Sequence, residues 1–180
     1  MRLLPEETQC LVIDMQEKLV PAMSDLENLN NRVEILLKGL RLLGIPMMLT
    51  QQYTKGLGNS LPYVYEAAGT TKYYEKNTFS CVRDEETLKA LRDNGRKNIL
   101  VCGTETHICV LQSCMELKAL GFQPIMVADA VGSRKPFDKE IGLQRAVQEG
   151  ILLTTTEAAL FEMTVDSKNP HFREISALVK

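Results

Sequence analysis

The sequence predicts an α/β protein with a Rossmann-like, three-layer α/β/α architecture built on a doubly wound sheet. Short apolar runs rich in β-branched residues recur along the chain, and segments with helical periodicity separate them. The 180 residues, of which 44% are hydrophobic and 24% charged, suit a single globular domain covering residues 1–180. We therefore expect helices on both faces of the sheet and ligands beyond the carboxyl ends of the strands.

The first half of the chain predicts three strands. The first covers residues 8–14, the second covers residues 45–51, and a shorter segment at 71–76 predicts the third. Between the second and third strands, the stretch containing Gly56, Gly58 and Pro62 predicts a loop. An apolar stripe with helical spacing predicts a crossover helix that ends near Gly44; its members are Leu29, Val33, Leu36, Leu37 and Leu40.

The second half of the chain continues the alternation of helices and strands. The run at 98–103 is the most apolar strand candidate, and the helix after it is expected to begin with Thr106 as its N-cap. The other predicted segments are a helix at 85–94, a helix at 106–120, a strand at 123–128, a helix at 138–149, a strand at 151–153, and closing helices at 157–163 and 172–179.

Charge and hydropathy narrow the classes of partner. The formal net charge is -2, which does not favour binding to nucleic acid or to an anionic membrane surface. No apolar run reaches the roughly 18 to 20 residues that span a bilayer, and residues 1–7 lack the apolar stretch of a secretory signal. We expect a cytoplasmic protein that binds a small molecule.

Three polar residues follow strands where a doubly wound sheet binds its ligand. Asp14 ends the first strand, Lys76 follows the third, and Cys109 lies near the start of the helix after residues 98–103. A helix N-terminus and a nearby ammonium group both favour a thiolate, so the sequence predicts a lowered pKa for Cys109. His107 cannot face Cys109 from two residues away on a helix, so Asp14 is the predicted proton acceptor.

The segments Leu11–Gln16, Lys76–Ser80 and Val101–Val110 resemble the three signature regions of isochorismatase-like hydrolases, in order and in spacing. The resemblance implies a sheet of six mainly parallel strands and a catalytic triad of Asp14, Lys76 and Cys109. It also implies a cis peptide bond between Thr104 and Glu105, with an oxyanion hole formed by the backbone N–H groups of Glu105 and Cys109. The implied reaction is acyl transfer through a thioester on Cys109, in a homo-oligomer that needs no cofactor.

The substrate class follows from two further comparisons within that resemblance. Metal-dependent nicotinamidases carry acidic and histidine ligands after the second strand, whereas this chain has Thr50–Tyr53 there, so no metal is expected. Enzymes that cleave the vinyl ether of isochorismate do not need a nucleophilic cysteine, so the presence of Cys109 favours amide-like substrates. The loop at 52–58 and the segment at 169–175 resemble the poorly characterised isochorismatase domain-containing proteins. The residues predicted to line the substrate pocket, with ordinary packing as the alternative, are Leu19, Gln52, Tyr53 and Phe79.

Two other interpretations stay open from the sequence. The chain could be a catalytically idle member of the same fold that serves as a binding or scaffold protein. Its five cysteines, an odd number without a Cys-x-x-Cys pair, also allow a thiol redox sensor in which Cys109 pairs with Cys102 or Cys114. An intact triad argues against the first of these interpretations.

Overall fold

The computed structural model describes residues 2–180 and contains a six-stranded sheet in which every paired strand is parallel to its neighbour. The predicted α/β fold class is therefore confirmed. The strands are β1 (Thr8–Ile13), β2 (Met47–Gln52), β3 (Tyr73–Lys76), β4 (Asn98–Thr104), β5 (Gln123–Gly132) and β6 (Leu152–Thr154). The α-helices are α1 (Leu26–Leu42), α2 (Thr54–Leu57), α3 (Pro62–Ala68), α4 (Glu85–Asp93), α5 (Leu111–Ala119), α6 (Pro136–Gln148), α7 (Thr156–Thr164) and α8 (Phe172–Leu178).

The strand order β3-β2-β1-β4-β5-β6 places β1 in the interior of the sheet. All six residues of β1 are buried, as expected for a strand covered on both faces. Cys10 and Val12 pack into the core formed with α1, α3, α7 and α8, while Leu11 and Ile13 pack into the opposite core with α4, α5 and α6. The winding direction reverses between β1 and β4, and sheets of this type bind their ligands beyond the carboxyl ends of the strands at such a reversal.

Gly103 allows β4 to pass unusually close to β1 near the carboxyl ends of both strands. It pairs with Ile13, has a φ of +112°, and would place a Cβ atom 2.0 Å from the carbonyl oxygen of Ile13. No side chain fits there, because both the contact and the positive φ require glycine. The end of β4 is thereby held against the end of β1.

The stretch between β2 and β3 differs from the predicted loop, because it contains the short helices α2 and α3. Pro62 occupies the first turn of α3, where its missing N–H is not needed, and Gly69 ends the helix in a left-handed conformation. Val64, Ala67 and Ala68 bury the inner face of α3. Proline and glycine here mark the ends of a helix, so the predicted absence of structure was wrong.

One strand boundary also differs. Strand β5 continues to Gly132, four residues beyond its predicted end at 128, and remains buried at its last three residues.

Across residues 2–180, no helix combines the length and apolar character needed to cross a membrane.

Candidate active site

Asp14 lies immediately after β1, and its backbone is fixed by both neighbouring strands. Its N–H donates to the carbonyl of Thr50 at 3.2 Å, and its own carbonyl accepts from the hydroxyl of Thr104 at 2.9 Å. Its φ is +50°, a left-handed conformation that aspartate adopts more readily than most residues. The chain therefore turns sharply at Asp14.

The Asp14 carboxylate is fully buried and has a hydrogen-bond donor on each oxygen. Thr50 donates its hydroxyl to Oδ1 at 2.9 Å, and Lys76 donates from Nζ to Oδ2 at 2.7 Å. Cys109 lies close enough to this carboxylate to lower its pKa slightly. A buried carboxylate without such partners would be costly, so these contacts explain how an acid can end an apolar strand.

Lys76 is the last residue of β3 and the only buried residue of that strand. In the parallel register it pairs with Gln52 of β2. Its ammonium group donates to Asp14 Oδ2 and to Gln52 Oε1, each at 2.7 Å, and to the carbonyl of Thr78 at 3.2 Å. The sequence prediction that Lys76 meets Asp14 in one crevice agrees with this geometry.

Cys109 lies in a π-helix, Thr106–Val110, that precedes α5. The predicted N-cap role of Thr106 was wrong: Glu105 is the residue before the helix, and the Thr106 hydroxyl is buried without a hydrogen-bond partner among the described residues. The carbonyl of Glu105 accepts from Ile108 N at 3.0 Å and from Val110 N at 3.2 Å. The wider turn places Cys109, 8% exposed, beside Asp14.

The pKa values of the three groups reflect burial and mutual charge. Burial raises the pKa of Asp14, although Lys76, Thr50 and Cys109 oppose the shift. Burial disfavours the ammonium form of Lys76, but the anionic forms of Cys81, Asp14 and Cys109 outweigh it and raise the pKa. Burial, followed by the charge of Asp14, raises the pKa of Cys109 to about 12 despite Lys76. The predicted lowering of the Cys109 pKa was therefore wrong, because desolvation outweighs the nearby positive charge.

The peptide bond between Thr104 and Glu105 is cis, as the resemblance implies. The side chain of Glu105 is buried and held by Arg134. Arg134 Nε lies 3.0 and 3.1 Å from the two carboxylate oxygens, and the backbone N–H of Arg134 donates to Oε2 at 3.1 Å. Arg134 therefore holds the side chain of the residue whose N–H is one of the predicted oxyanion donors.

Four residues predicted to line the substrate pocket have different environments. Tyr53 is 51% exposed and Phe79 is 55% exposed, so both aromatic rings are available for contacts. Leu19 is half-buried. Gln52 uses its carboxamide within the protein, because Oε1 accepts from Lys76 and Nε2 donates to the carbonyl of Asn77 at 2.9 Å. Contact of these four residues with a substrate stays a prediction.

Two side chains near Asp14 have no signal in the sequence. Thr50 bridges the Asp14 carboxylate and Cys81, whose Sγ lies 3.7 Å from the Thr50 hydroxyl. Cys81 is completely buried and, like the other four cysteines, is free. In the register of β1 against β2, Ile13 pairs with Thr50, so Thr50 lies next to Asp14. The register would have identified Thr50, but it cannot be derived from a single sequence.

The side chain of His107 contacts residues outside this cluster. Its Nδ1 is 3.0 Å from the Ser133 hydroxyl, and its Nε2 is 3.7 Å from Asp138 Oδ2. This supports the prediction that His107 is not the base. Within residues 2–180, no group of three or more His, Cys, Asp or Glu side chains is arranged to hold a metal ion.

The fold and the site together define a class: a parallel α/β protein with a buried acid, an ammonium group and a thiol at the carboxyl end of its sheet. The isochorismatase domain model matches residues 8–158. The chain belongs to the isochorismatase family, and this membership supports a hydrolase-type function.

Known relatives agree with this membership. Isochorismatase domain-containing protein 1 of Salmo salar is 35% identical over 178 residues, which are 99% of this chain but only 62% of the salmon protein. The structure of the MAR1 ribonuclease of Caenorhabditis elegans has a TM-score of 0.91 and 30% identity, covering 99% and 92% of the two chains. The Escherichia coli YcaC product, described as an octameric hydrolase of unknown specificity, shares the fold with a TM-score of 0.90 at 22% identity, covering 99% and 95%.

Proposed function

We propose that this protein hydrolyses a small amide-like or related acyl substrate through a thioester on Cys109, with Asp14, Lys76 and Cys109 as the catalytic triad. The proposal rests on the surroundings of the Asp14 carboxylate. This group accepts a hydrogen bond from Thr50 on one oxygen and from Lys76 on the other, and it lies beside Cys109. A nucleophile, a base and a group that orients the base are the parts that covalent acyl transfer requires.

The first half of the reaction begins with a protonated thiol. Because the pKa of Cys109 is raised to about 12, the resting group at neutral pH is the thiol. Asp14 takes the proton as sulfur bonds to the substrate carbonyl carbon, and the carbonyl oxygen becomes an oxyanion. We assign its stabilisation to the N–H groups of Glu105 and Cys109, each contributing on the order of 3 kcal/mol. The raised pKa of Asp14 suits a group that must hold this proton.

The second half returns the proton and releases the acyl group. Collapse of the tetrahedral intermediate breaks the C–N bond, and Asp14 gives its proton to the leaving amine. Water, deprotonated by Asp14, then attacks the thioester and releases a carboxylic acid, and Asp14 returns the proton to the Cys109 sulfur. Lys76 remains charged throughout and keeps the Asp14 carboxylate oriented.

The decisive experiment compares Cys109→Ala with Cys114→Ala on a panel of small amides, ureides, nicotinamide and a short RNA. Cys114 is a buried thiol of α5 and serves as the matched control. We expect amide turnover to fall at least a thousandfold in Cys109→Ala and to change only a few-fold in Cys114→Ala. Mass spectrometry of the quenched wild-type reaction should show the acyl group on the Cys109 peptide.

Other outcomes favour other functions. Amide turnover that survives Cys109→Ala would refute the mechanism. Cleavage of RNA alone would favour the activity for which the Caenorhabditis elegans relative is named. The absence of both turnover and acylation would favour a binding or scaffold role.

We also propose that the protein is a cytoplasmic homo-oligomer. Exposed apolar side chains on α6, including Phe137 at 68% and Ile141 at 44%, are suited to a contact between copies. The octameric state of the YcaC product supports the same proposal. Light scattering of the purified protein would measure the assembly, and a monomer at micromolar concentration would refute it.

A further inference from the structure

The ammonium group of Lys76 has as many acceptors as it has protons. Asp14 Oδ2, Gln52 Oε1 and the Thr78 carbonyl lie at 2.7, 2.7 and 3.2 Å from Nζ. A protonated lysine has three N–H donors and no lone pair, so none of its protons is left for a substrate. Lys76 therefore acts on the reaction as a fixed positive charge, and the residues that hold it determine where that charge lies.

Gln52 is held so that only its oxygen can face Lys76. Its Nε2 donates to the carbonyl of Asn77 at 2.9 Å, which fixes the orientation of the amide. Its backbone N–H donates to Gln16 Oε1 at 2.7 Å, and Gln16 Nε2 donates to the Gln52 carbonyl at 3.0 Å and to the Gly58 carbonyl at 2.7 Å. Gln16 is completely buried. The side chain and the backbone of Gln52 are both constrained, as expected for a group whose placement matters.

We infer that Gln52 is a positioning residue of the proposed reaction: its neutral carbonyl keeps Lys76 protonated and directed at Asp14, and thereby assists ionisation of Cys109. The inference rests on the proposed function and assigns Gln52 to Lys76 instead of to the substrate. The neutrality of the amide is central to it. A carboxylate in the same place would satisfy the ammonium equally well, but would offset the positive charge that opposes the raised pKa of the thiol.

The test measures alkylation of Cys109 by iodoacetamide as a function of pH, followed by mass spectrometry of the Cys109 peptide, and needs no substrate. Iodoacetamide reacts with the thiolate, so below the pKa the rate reports the thiolate fraction. We expect Gln52→Glu to slow alkylation at pH 8 about tenfold, which corresponds to a rise of about one pH unit in the thiol pKa. Gln52→Leu, which removes one acceptor without adding a charge, should slow it by a smaller factor.

The matched control is Gln51→Leu. Gln51 precedes Gln52 on β2 and is completely buried, whereas Gln52 is half-buried; the Gln51 amide bonds to Ser60, Tyr65 and Thr54 and does not reach Lys76. We expect its alkylation rate to stay within about twofold of the wild type. An unchanged or faster rate in Gln52→Glu would overturn the inference, and so would an equal slowing in Gln51→Leu, since general loosening would then explain both.

The inference and the proposed function can fail separately. Hydrolysis that survives Cys109→Ala refutes the proposed reaction, whatever the alkylation profiles show. Hydrolysis that depends on Cys109, together with a wild-type profile in Gln52→Glu, refutes only the role of Gln52.

Discussion

The Nζ atom of Lys76 lies 2.7 Å from Oδ2 of Asp14, and both side chains are completely shielded from solvent. The two come from residues 62 positions apart in the chain. Each buried charge compensates the other, and their remaining hydrogen-bonding atoms are occupied by Thr50, Gln52 and Thr78. Asp14 and Lys76 therefore contribute to stability as a pair, and the effect of changing one depends on whether the other is present.

Loss of one charge of the pair should cost more than loss of both. We expect Lys76→Met to lower the free energy of unfolding by about 3–5 kcal/mol, because a buried carboxylate is left without its cation. Asn can adopt the left-handed conformation of Asp14, so Asp14→Asn adds little backbone strain. Urea denaturation of both single variants and the double variant measures the coupling. Additive costs would contradict the description of the pair as a unit.

Thr50→Val removes a hydroxyl and keeps the shape of the side chain. Thr50 donates to Oδ1 of Asp14 and so lowers its pKa, so the valine variant should have a higher Asp14 pKa. Asp14 would be ionised only at higher pH, and the acidic limb of the pH profile for amide hydrolysis should move upward by roughly half to one unit. Thr87→Val, which removes a buried hydroxyl bonded to Asp84, is the control. A downward shift of the limb would refute the assignment.

Arg134→Gln should affect activity more than stability. Arg134 is 59% exposed, so its ion pair with Glu105 contributes little to folding. The Glu105 side chain would lose the guanidinium contact and keep only the bond from the backbone N–H at position 134, so the peptide that carries the proposed oxyanion donor would be less firmly placed. We expect kcat to fall roughly ten- to hundredfold, with Tm nearly unchanged. Lys135→Gln, at the next exposed position, should leave both values as they are; equal losses in the two variants would indicate a general effect of charge.

Alkaline pH should destabilise the protein in part through Cys81. Burial raises the pKa of Cys81 from 9.0 to about 11. Between these two values the folded state holds a proton that the unfolded state has released, so stability falls by about 1.4 kcal/mol per pH unit as the pH rises. Denaturation at pH 8, 9 and 10 should show a shallower slope in Cys81→Ser.

Ser113→Ala tests whether that change in slope comes from ionisation. It removes the hydroxyl that accepts from Cys81 N at 2.9 Å, but it removes no titrating group. This variant should be less stable with the wild-type slope. A slope in Cys81→Ser equal to that of the wild type would mean that Cys81 does not contribute to the alkaline transition.

The meeting of Asp14 with Lys76 could be predicted because it follows from topology. Residues at the carboxyl ends of parallel strands share one edge of the sheet, and the apolar runs located those ends to within two residues for β1, β2 and β3. The fold class required no more than the alternation of strands and helices. Hydrophobic periodicity reports which residues of a single segment are buried, and this information is contained in the local sequence.

The contacts around the pair could not be predicted, since they depend on register and packing. The bonds from Thr50 to Asp14 and from Lys76 to Gln52 join residues 36 and 24 positions apart. The π-helix at Thr106–Val110 has no local sequence signature, so Thr106 looked like a cap. The pKa of Cys109 was predicted in the wrong direction for the same reason: the dipole and the charge can be read from sequence, whereas desolvation depends on the complete tertiary structure.

The glycine at position 103 also limits how relatives with this geometry can diverge. With its α-carbon against the Ile13 carbonyl, the strand that leads to Asp14 and the strand that leads to Glu105 cannot move apart or slide without losing this fit. Under the proposed function, a change of specificity would come from exposed residues predicted to line the pocket, Tyr53 and Phe79, while the spacing between acid and peptide stays constant.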